Sequence, residues 1–167
     1  MSFVVTTLVR AIAGAFVLAF LAVAGTATAQ TAQPNRSGDW DTLCDTTPDT
    51  QQKICVLTQK LTMTGQQNVH FSVIVVKAGP VLRVLAPLGV LLETGVTLKV
   101  DGDQLSRMPF LRCLQNGCVA ETNLDAALVR RLKAGKVATF VIYGQPDRPV
   151  DVPVSLNGFT RGYDALP

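Results

Sequence analysis

The chain has 167 residues, four cysteines and a formal net charge of +3, and 48% of its residues are hydrophobic. One of its 15 basic residues is Arg10, close to the start, so the remainder carries 14 basic residues against 12 acidic ones. This near balance excludes a dedicated nucleic-acid binder, which needs a concentrated basic surface.

The first 29 residues have the three parts of a secretory signal peptide. Arg10 supplies the positive start, and an apolar run of about fifteen residues, Ala11 to Gly25, is too short for a membrane span. Ala27-Thr28-Ala29 then gives a small-x-small pattern, so we expect cleavage after Ala29. The alternative is an uncleaved N-terminal anchor. Cleavage predicts a periplasmic or secreted protein.

The remaining chain suits one domain. We expect residues 30–37 to be a flexible lead-in and residues 38–167 to form a single disulfide-bonded β domain. No apolar stretch beyond the signal peptide is long and charge-free enough to cross a bilayer.

Four cysteines in an oxidising compartment predict two disulfides, for which three pairings are possible. We favour the local pairs Cys44–Cys55 and Cys113–Cys118, because each pair brackets a turn-rich loop. The chain-entropy model gives each such bridge about 2–3 kcal/mol of stability.

Short strands joined by polar loops are predicted before the centre of the chain. The first strand carries Trp40 and Cys44 on its inner face. The run from Asn68 to Lys77 is apolar on both faces towards its end, which predicts a central strand. The predicted strands of this half are Gly38 to Cys44, Lys53 to Met63, Asn68 to Lys77 and Val81 to Ala86.

Turn signals crowd the stretch from Leu85 to Glu121. Pro87-Leu88-Gly89 predicts a bend, and Asp101-Gly102 and Asn116-Gly117 predict hairpin turns. The return strand from Gln104 to Cys113 contains Pro109, so we expect this strand to be bulged or to lie at a sheet edge.

One internal helix is predicted from Leu124 to Lys133, where leucines recur every four residues and Gly135 follows. Asn123, or alternatively Thr122, would cap its start. Two strands and a short helix capped by Asn157 complete the chain: Lys136 to Tyr143, Pro149 to Leu156 and Gly158 to Leu166. About eight or nine strands without strand–helix alternation predict an all-β antiparallel sandwich, immunoglobulin-like or similar, with a partly closed barrel as the alternative.

Two sets of titratable residues are candidate sites. Asp101 and Asp103 flank Gly102 and could bind a cation or share a proton, but we favour a simple hairpin turn because the other oxygen ligands of a calcium loop are missing. Four basic residues could contact phosphate, lipid headgroups or an acidic partner, but we favour solvated side chains at the negative end of the helix dipole. These residues are Arg130, Arg131, Lys133 and Lys136.

The remaining candidates indicate no chemistry. His70 is the only histidine, and we expect it to be structural or on the surface. The serines Ser72, Ser106 and Ser155 have no Gly-x-Ser-x-Gly context. Four aromatic residues could form a binding surface, although packing in the core or at an edge is the favoured interpretation: Trp40, Phe110, Phe159 and Tyr163. The sequence thus predicts no catalytic residue, no metal ligand and no cofactor.

The ordered set of these features resembles the invasion-associated locus B family, whose members are exported proteins of alphaproteobacteria. The resemblance covers nearly the whole chain after the signal peptide and gives the four cysteines and the Pro-Leu-Gly bend a structural role. It is carried by Trp40 before Cys44, Cys55, Pro87 to Val90, the GVTLKVDG stretch, Pro109-Phe110 before Cys113, Cys118 and the closing SLNGF from Ser155 to Phe159.

The resemblance implies a non-enzymatic envelope or secreted protein that acts through protein or surface interaction. Its partner would be an unidentified envelope or host-surface protein, with host-cell entry in pathogens and an envelope role otherwise. Two alternatives remain. The first is an unrecognised envelope hydrolase that uses Asp101 and Asp103, and the second is a structural envelope component that associates with itself.

Overall fold

The computed structural model of the chain describes residues 35–63 and 69–167. The predicted signal peptide and residues 30–34 of the predicted lead-in lie outside these residues. The strands are β1 (Asn35–Ser37), β2 (Trp40–Thr46), β3 (Lys53–Thr62), β4 (His70–Val76), β5 (Val81–Ala86), β6 (Val96–Val100), β7 (Asp103–Met108), β8 (Phe110–Leu114), β9 (Gly117–Asn123), β10 (Val137–Gln145) and β11 (Arg148–Ser155). The helices are α1 (Ala126–Ala134), α2 (Phe159–Ala165) and a 3-10 turn, Leu92–Thr94.

The described strands form two antiparallel sheets. The larger has the order β1-β2-β3-β4-β5-β9-β8, and the smaller has the order β11-β10-β6-β7. The predicted sandwich is confirmed. The partly closed barrel is not formed, because the strands remain in two sheets.

The core lies between inward-facing apolar side chains of both sheets, since alternate residues of a strand face opposite sides. On β4 these are Phe71, Val73 and Val75, and the Phe71 ring lies 5.6 Å from that of Phe140 on β10. Helix α1 adds Leu128 and Leu132 to the same cluster. The strand predicted to be central is central, since β4 lies between β3 and β5.

Residues 35–63 and 69–167 form eleven strands instead of the expected eight or nine, for two reasons. Pro109 divides the predicted return strand, because β7 ends at Met108 at the edge of the smaller sheet and β8 begins at Phe110 at the edge of the larger one. The proline therefore marks the point where the chain changes sheets, a position that does not require an N–H donor. The other addition is β1, which the sequence assigns to the flexible lead-in, and which pairs with β2 across Gly38-Asp39.

The two predicted helix caps are wrong. Asp125 caps α1, and its carboxylate accepts a hydrogen bond of 2.7 Å from the backbone nitrogen of Leu128. Asn123 is the last residue of β9, and Thr122 lies one residue earlier, so neither reaches the helix start. Gly158, not Asn157, precedes α2 and makes no side-chain cap.

Both hairpin turns exist, although the second is shifted by one residue. Asp101 and Gly102 both have positive φ, as a type I′ turn requires. The other turn consists of Gln115-Asn116, and Gly117 begins β9. A β-carbon at Gly117 would lie 2.4 Å from the carbonyl oxygen of Ala86, so this glycine serves the close approach of β5 to β9.

The structure contains the two local disulfides that the sequence predicts, Cys44–Cys55 and Cys113–Cys118. Each joins residues that face each other on paired strands. Cys44 shares the face of Trp40, as expected, but it is exposed because the last four residues of β2 extend beyond the packed core.

Candidate interaction surface

The two aspartates of the first hairpin serve separate contacts. The Asp101 carboxylate accepts hydrogen bonds of 3.0 to 3.1 Å from the backbone nitrogens of Lys136 and Val137. These two donors hold the pKa of Asp101 below its ordinary value. Asp103 instead pairs with Arg131 at 2.6 Å. Asp101 therefore ties the β6–β7 hairpin to the start of β10, and Asp103 ties it to α1. The two carboxylates serve separate contacts and do not share a site.

Internal contacts account for part of the basic cluster. Arg131 pairs with Asp103, and Lys133 lies 2.5 Å from a carboxylate oxygen of Asp164. The Lys133 ammonium also lies 5.0 Å from the centre of the Tyr163 ring. Arg130 and Lys136 are exposed, as expected for solvated basic residues near a helix C-terminus.

The histidine and the serines are dispersed. His70 is exposed at the start of β4, and Ser72 is buried in the same strand. Ser106 shares a hydrogen bond with Thr122, and Ser155 donates one of 2.6 Å to Asp39. None of these contacts joins a serine to the histidine. Across residues 35–63 and 69–167, no group of three or more potential metal ligands is present, and no helix is long and apolar enough to cross a membrane.

Three of the aromatic candidates pack together rather than forming a binding surface. Trp40 and Phe159 are buried, with ring centres 5.2 Å apart in an edge-on arrangement. Phe159 also stacks on half-buried Tyr163 at 5.8 Å. Phe110 lies against the core at the start of β8. The favoured packing interpretation thus holds.

A partly buried polar network joins β2 and β3 to the end of β11. The Trp40 indole nitrogen donates to the carbonyl oxygen of Ser155 at 2.9 Å. The side-chain amide of Gln59 donates to the carbonyl oxygens of Asp39 and Ser155, and its oxygen accepts from the Ser155 nitrogen. Sequence reasoning missed Gln59, because nothing in its strand distinguishes a buried glutamine from an exposed one.

The outward face of the larger sheet carries an apolar row, also missed from the sequence. Leu43, Val56, Val76 and Val81 lie side by side on four adjacent strands, β2 to β5. We call these four residues the outer apolar row. Leu43 is 42% exposed, and the three valines are half-buried. Apolar residues in each strand were visible in the sequence, but their alignment depends on strand register.

A groove of about 570 Å³ adjoins one end of the outer apolar row. Its walls include Leu43, Val56 and Ile54, of which Ile54 is 39% exposed. Its other walls are the end of β2 and the following loop, residues 44–48. Contiguous exposed apolar surface of this kind marks interaction sites more often than single exposed residues do.

Comparison with known proteins gives a consistent match. The family model described as Invasion associated locus B (IalB) protein matches residues 40–167. Invasion protein B homologs from Brucella abortus strain 2308 and from biovar 1 strain 9-941 are each 33% identical to the chain over 132 residues, covering 77% of this chain and 75% of the relative. The crystal structure of invasion associated protein b from Bartonella henselae superposes with a TM-score of 0.66 at 25% identity, covering 78% of this chain and 92% of that chain.

The family-model match includes the residues on which the resemblance rests, and the Trp40–Ser155 hydrogen bond joins the first of them to the closing Ser155–Phe159 segment. The chain belongs to the invasion-associated locus B family.

Proposed function

We propose that this protein is exported and acts in the envelope or outside the cell by binding another protein, without catalysing a reaction. The observation that carries the proposal is the outer apolar row, an apolar stripe across four strands with exposed Leu43 at one end and three half-buried valines beside it. Exposed apolar area costs solubility unless a partner covers it, and large patches of this kind occur at protein–protein interfaces.

Family membership and the disulfides support the extracytoplasmic location. Disulfides form and persist in oxidising compartments, and both pairs of cysteines are bridged. The named relatives are invasion proteins or their homologs. We therefore propose a role in host-cell entry where the source bacterium is a pathogen and a role in the envelope otherwise.

Export is tested by fractionation of cells that make the full chain, followed by mass spectrometry of the recovered protein. The proposal expects a protein that begins at Gln30 in the periplasm or the medium. Recovery of the intact 167-residue chain from the cytoplasm would reject export.

Binding is tested by chemical crosslinking in intact cells followed by capture of the protein through an affinity tag. The wild type is compared with Leu43→Asn and with Leu111→Asn, a control at an exposed leucine of β8. We expect a specific crosslinked partner with the wild type and the control, and its loss with Leu43→Asn. If the same species appear with all three proteins, or if none appears, the outer apolar row is not the binding surface.

A further inference from the structure

A second row of residues lies beside the outer apolar row on the same outward face of the larger sheet, two positions away along each strand. It crosses six adjacent strands, from β1 to β9, because each member is the register partner of the next. We call it the charged row. In sheet order it consists of Arg36, Asp41, Thr58, Ile74, Arg83 and Glu121.

The charges of this row reverse sign about its midpoint, which lies between β3 and β4. From β1 to β9 they are positive, negative, none, none, positive and negative. Each charge is therefore matched by the opposite charge at the same number of strands on the other side of the midpoint. Arg36 on β1 is matched by Glu121 on β9, and Asp41 on β2 is matched by Arg83 on β5.

The outer apolar row is symmetric about the same midpoint. Val56 and Val76 lie directly on either side of it, and Leu43 and Val81 lie one strand further out. A two-fold axis parallel to the strands and midway between β3 and β4 would place β3 over β4, β2 over β5 and β1 over β9 of a second copy. The face is thus complementary to itself, as an interface between two identical chains requires.

The charged side chains are accessible to a second copy. Arg36 lies 3.9 Å from Asp41, and Arg83 pairs with Glu121, but the side chains of Arg36 and Arg83 are 67% and 42% exposed. Both pairs have the arginine on the β1 side, so the two-fold axis sets each arginine over a carboxylate of the other copy. Sheets packed face to face cross at about −30°, and the long arginine side chains can span the offset that this crossing produces.

Resting on the proposed function, we propose that the partner of the outer apolar row is a second copy of this chain. The two copies pack larger sheet against larger sheet about the two-fold axis. The leucine and valines of the outer apolar row contact the same row of the second copy. On either side of the axis, Asp41 pairs with Arg83 and Arg36 pairs with Glu121 of the opposite chain.

Sedimentation velocity of the mature protein, with both disulfides formed, measures this association over a range of concentrations. We expect a monomer–dimer equilibrium for the wild type. Asp41→Arg sets two arginines against each other at two symmetric places, and Arg83→Asp does the same with two carboxylates, so each should weaken the dimer by about ten-fold or more. Lys99→Asp, beside Thr139 on the outward face of the smaller sheet, is the matched control and should leave the dimer unchanged.

A mixture of the two single variants is the sharpest test. In a dimer of one Asp41→Arg copy and one Arg83→Asp copy, all four charge contacts are attractive. The mixture should therefore dimerise at a concentration where each variant alone is monomeric, a rescue that a folding defect would not allow. A monomeric wild type, equal weakening by Asp41→Arg and Lys99→Asp, or a mixture without dimer would overturn the inference.

The proposed function has a separate readout. If the wild type stays monomeric while Leu43→Asn still abolishes capture of a different protein in cells, this inference is rejected and the proposed function stands. If the purified protein forms no dimer and the cells yield no Leu43-dependent partner, both are rejected.

Discussion

The indole nitrogen of Trp40 lies 2.9 Å from the carbonyl oxygen of Ser155, which ties the start of β2 to the end of β11. The chain approaches itself closely at this point. The backbone nitrogen of Asp39 donates to the carbonyl oxygen of Asn157 at 3.1 Å. Gly38 and Gly158, both with positive φ, allow this contact, because neither carries a β-carbon.

Gly158→Ala should strongly destabilise the protein. The new β-carbon would lie 2.0 Å from the carbonyl oxygen of Ser37, and the residue would also have to hold φ of +86°. A loss of about 2 kcal/mol or more in the free energy of unfolding is expected from denaturant titration.

Two glycines serve as controls for Gly158→Ala. Gly102→Ala tests positive φ alone, since nothing lies within 4 Å of its β-carbon, and should cost about 1 kcal/mol. Gly79→Ala meets open space at an ordinary φ and should be neutral or slightly stabilising. An equal loss of stability in Gly158→Ala and Gly102→Ala would mean that the close approach to Ser37 adds nothing to the cost of positive φ.

Asp125→Ala should cost about 1 kcal/mol of stability, because it removes the hydrogen bond that caps α1. Asn123→Ala is the matched comparison and should have little effect, because Asn123 is exposed at the end of β9. Thermal unfolding of both variants checks the assignment. A larger loss of stability with Asn123→Ala would contradict this assignment and would identify Asn123 as the cap, as the sequence predicts.

Asp101→Asn should remove a pH-dependent part of the stability. The pKa of Asp101 is lowered in the folded state by the backbone N–H groups of Val137 and Lys136, so the folded protein binds this proton less tightly than the unfolded chain. The contribution is complete above the ordinary pKa of 3.8 and is lost as the pH falls through the lowered folded value. Denaturant midpoints should therefore differ between wild type and variant at neutral pH and converge in acid.

Asp103→Asn is the control for this pH dependence, because it removes an exposed ion pair and should change stability little. A gap between wild type and Asp101→Asn that stays constant from neutral pH to about pH 2 would contradict the assigned role. A variant that carries both Asp101→Asn and Asp103→Asn also tests the hydrolase alternative. Since the two carboxylates serve separate contacts, we expect any cellular phenotype of the protein to persist in it.

Removing the Cys44–Cys55 bridge should cost more stability than removing the Cys113–Cys118 bridge. The sequence separations are 11 and 5, and each doubling of a closed loop adds about 0.6 kcal/mol in the chain-entropy model. Paired alanine substitutions at each bridge, compared by denaturant unfolding, test this order. Peptide mapping without reduction would contradict the pairing if it linked Cys44 or Cys55 to Cys113 or Cys118.

The sandwich and the local turns could be predicted because they depend on patterns within a few residues. A two-residue hairpin turn needs positive φ at both central residues, which the Asp101-Gly102 pair favours, and alternating apolar residues mark each strand. The caps failed because Asn123 and Asp125 are both good capping residues, and only the end of β9 decides between them. The division at Pro109 required knowledge that β7 and β8 belong to different sheets.

The candidate surface could not be predicted for a related reason. Leu43 and Val56 are 13 positions apart in the sequence, and they become neighbours only through the register of β2 against β3. In the sequence, the apolar outward residues of β4 indicated burial on both faces. In the structure one of those faces is part of the outer apolar row.

The most direct test of the central claim is site-specific photocrosslinking in intact cells, with the photoreactive residue placed at Ile54 in the groove wall. The control position is Thr139, on the outward face of the smaller sheet. We predict a specific crosslinked protein at Ile54 that is absent at Thr139 and is lost when Leu43→Asn is added. Adducts of equal yield at the two positions, or none at Ile54, would contradict the assignment of this face as the interaction surface.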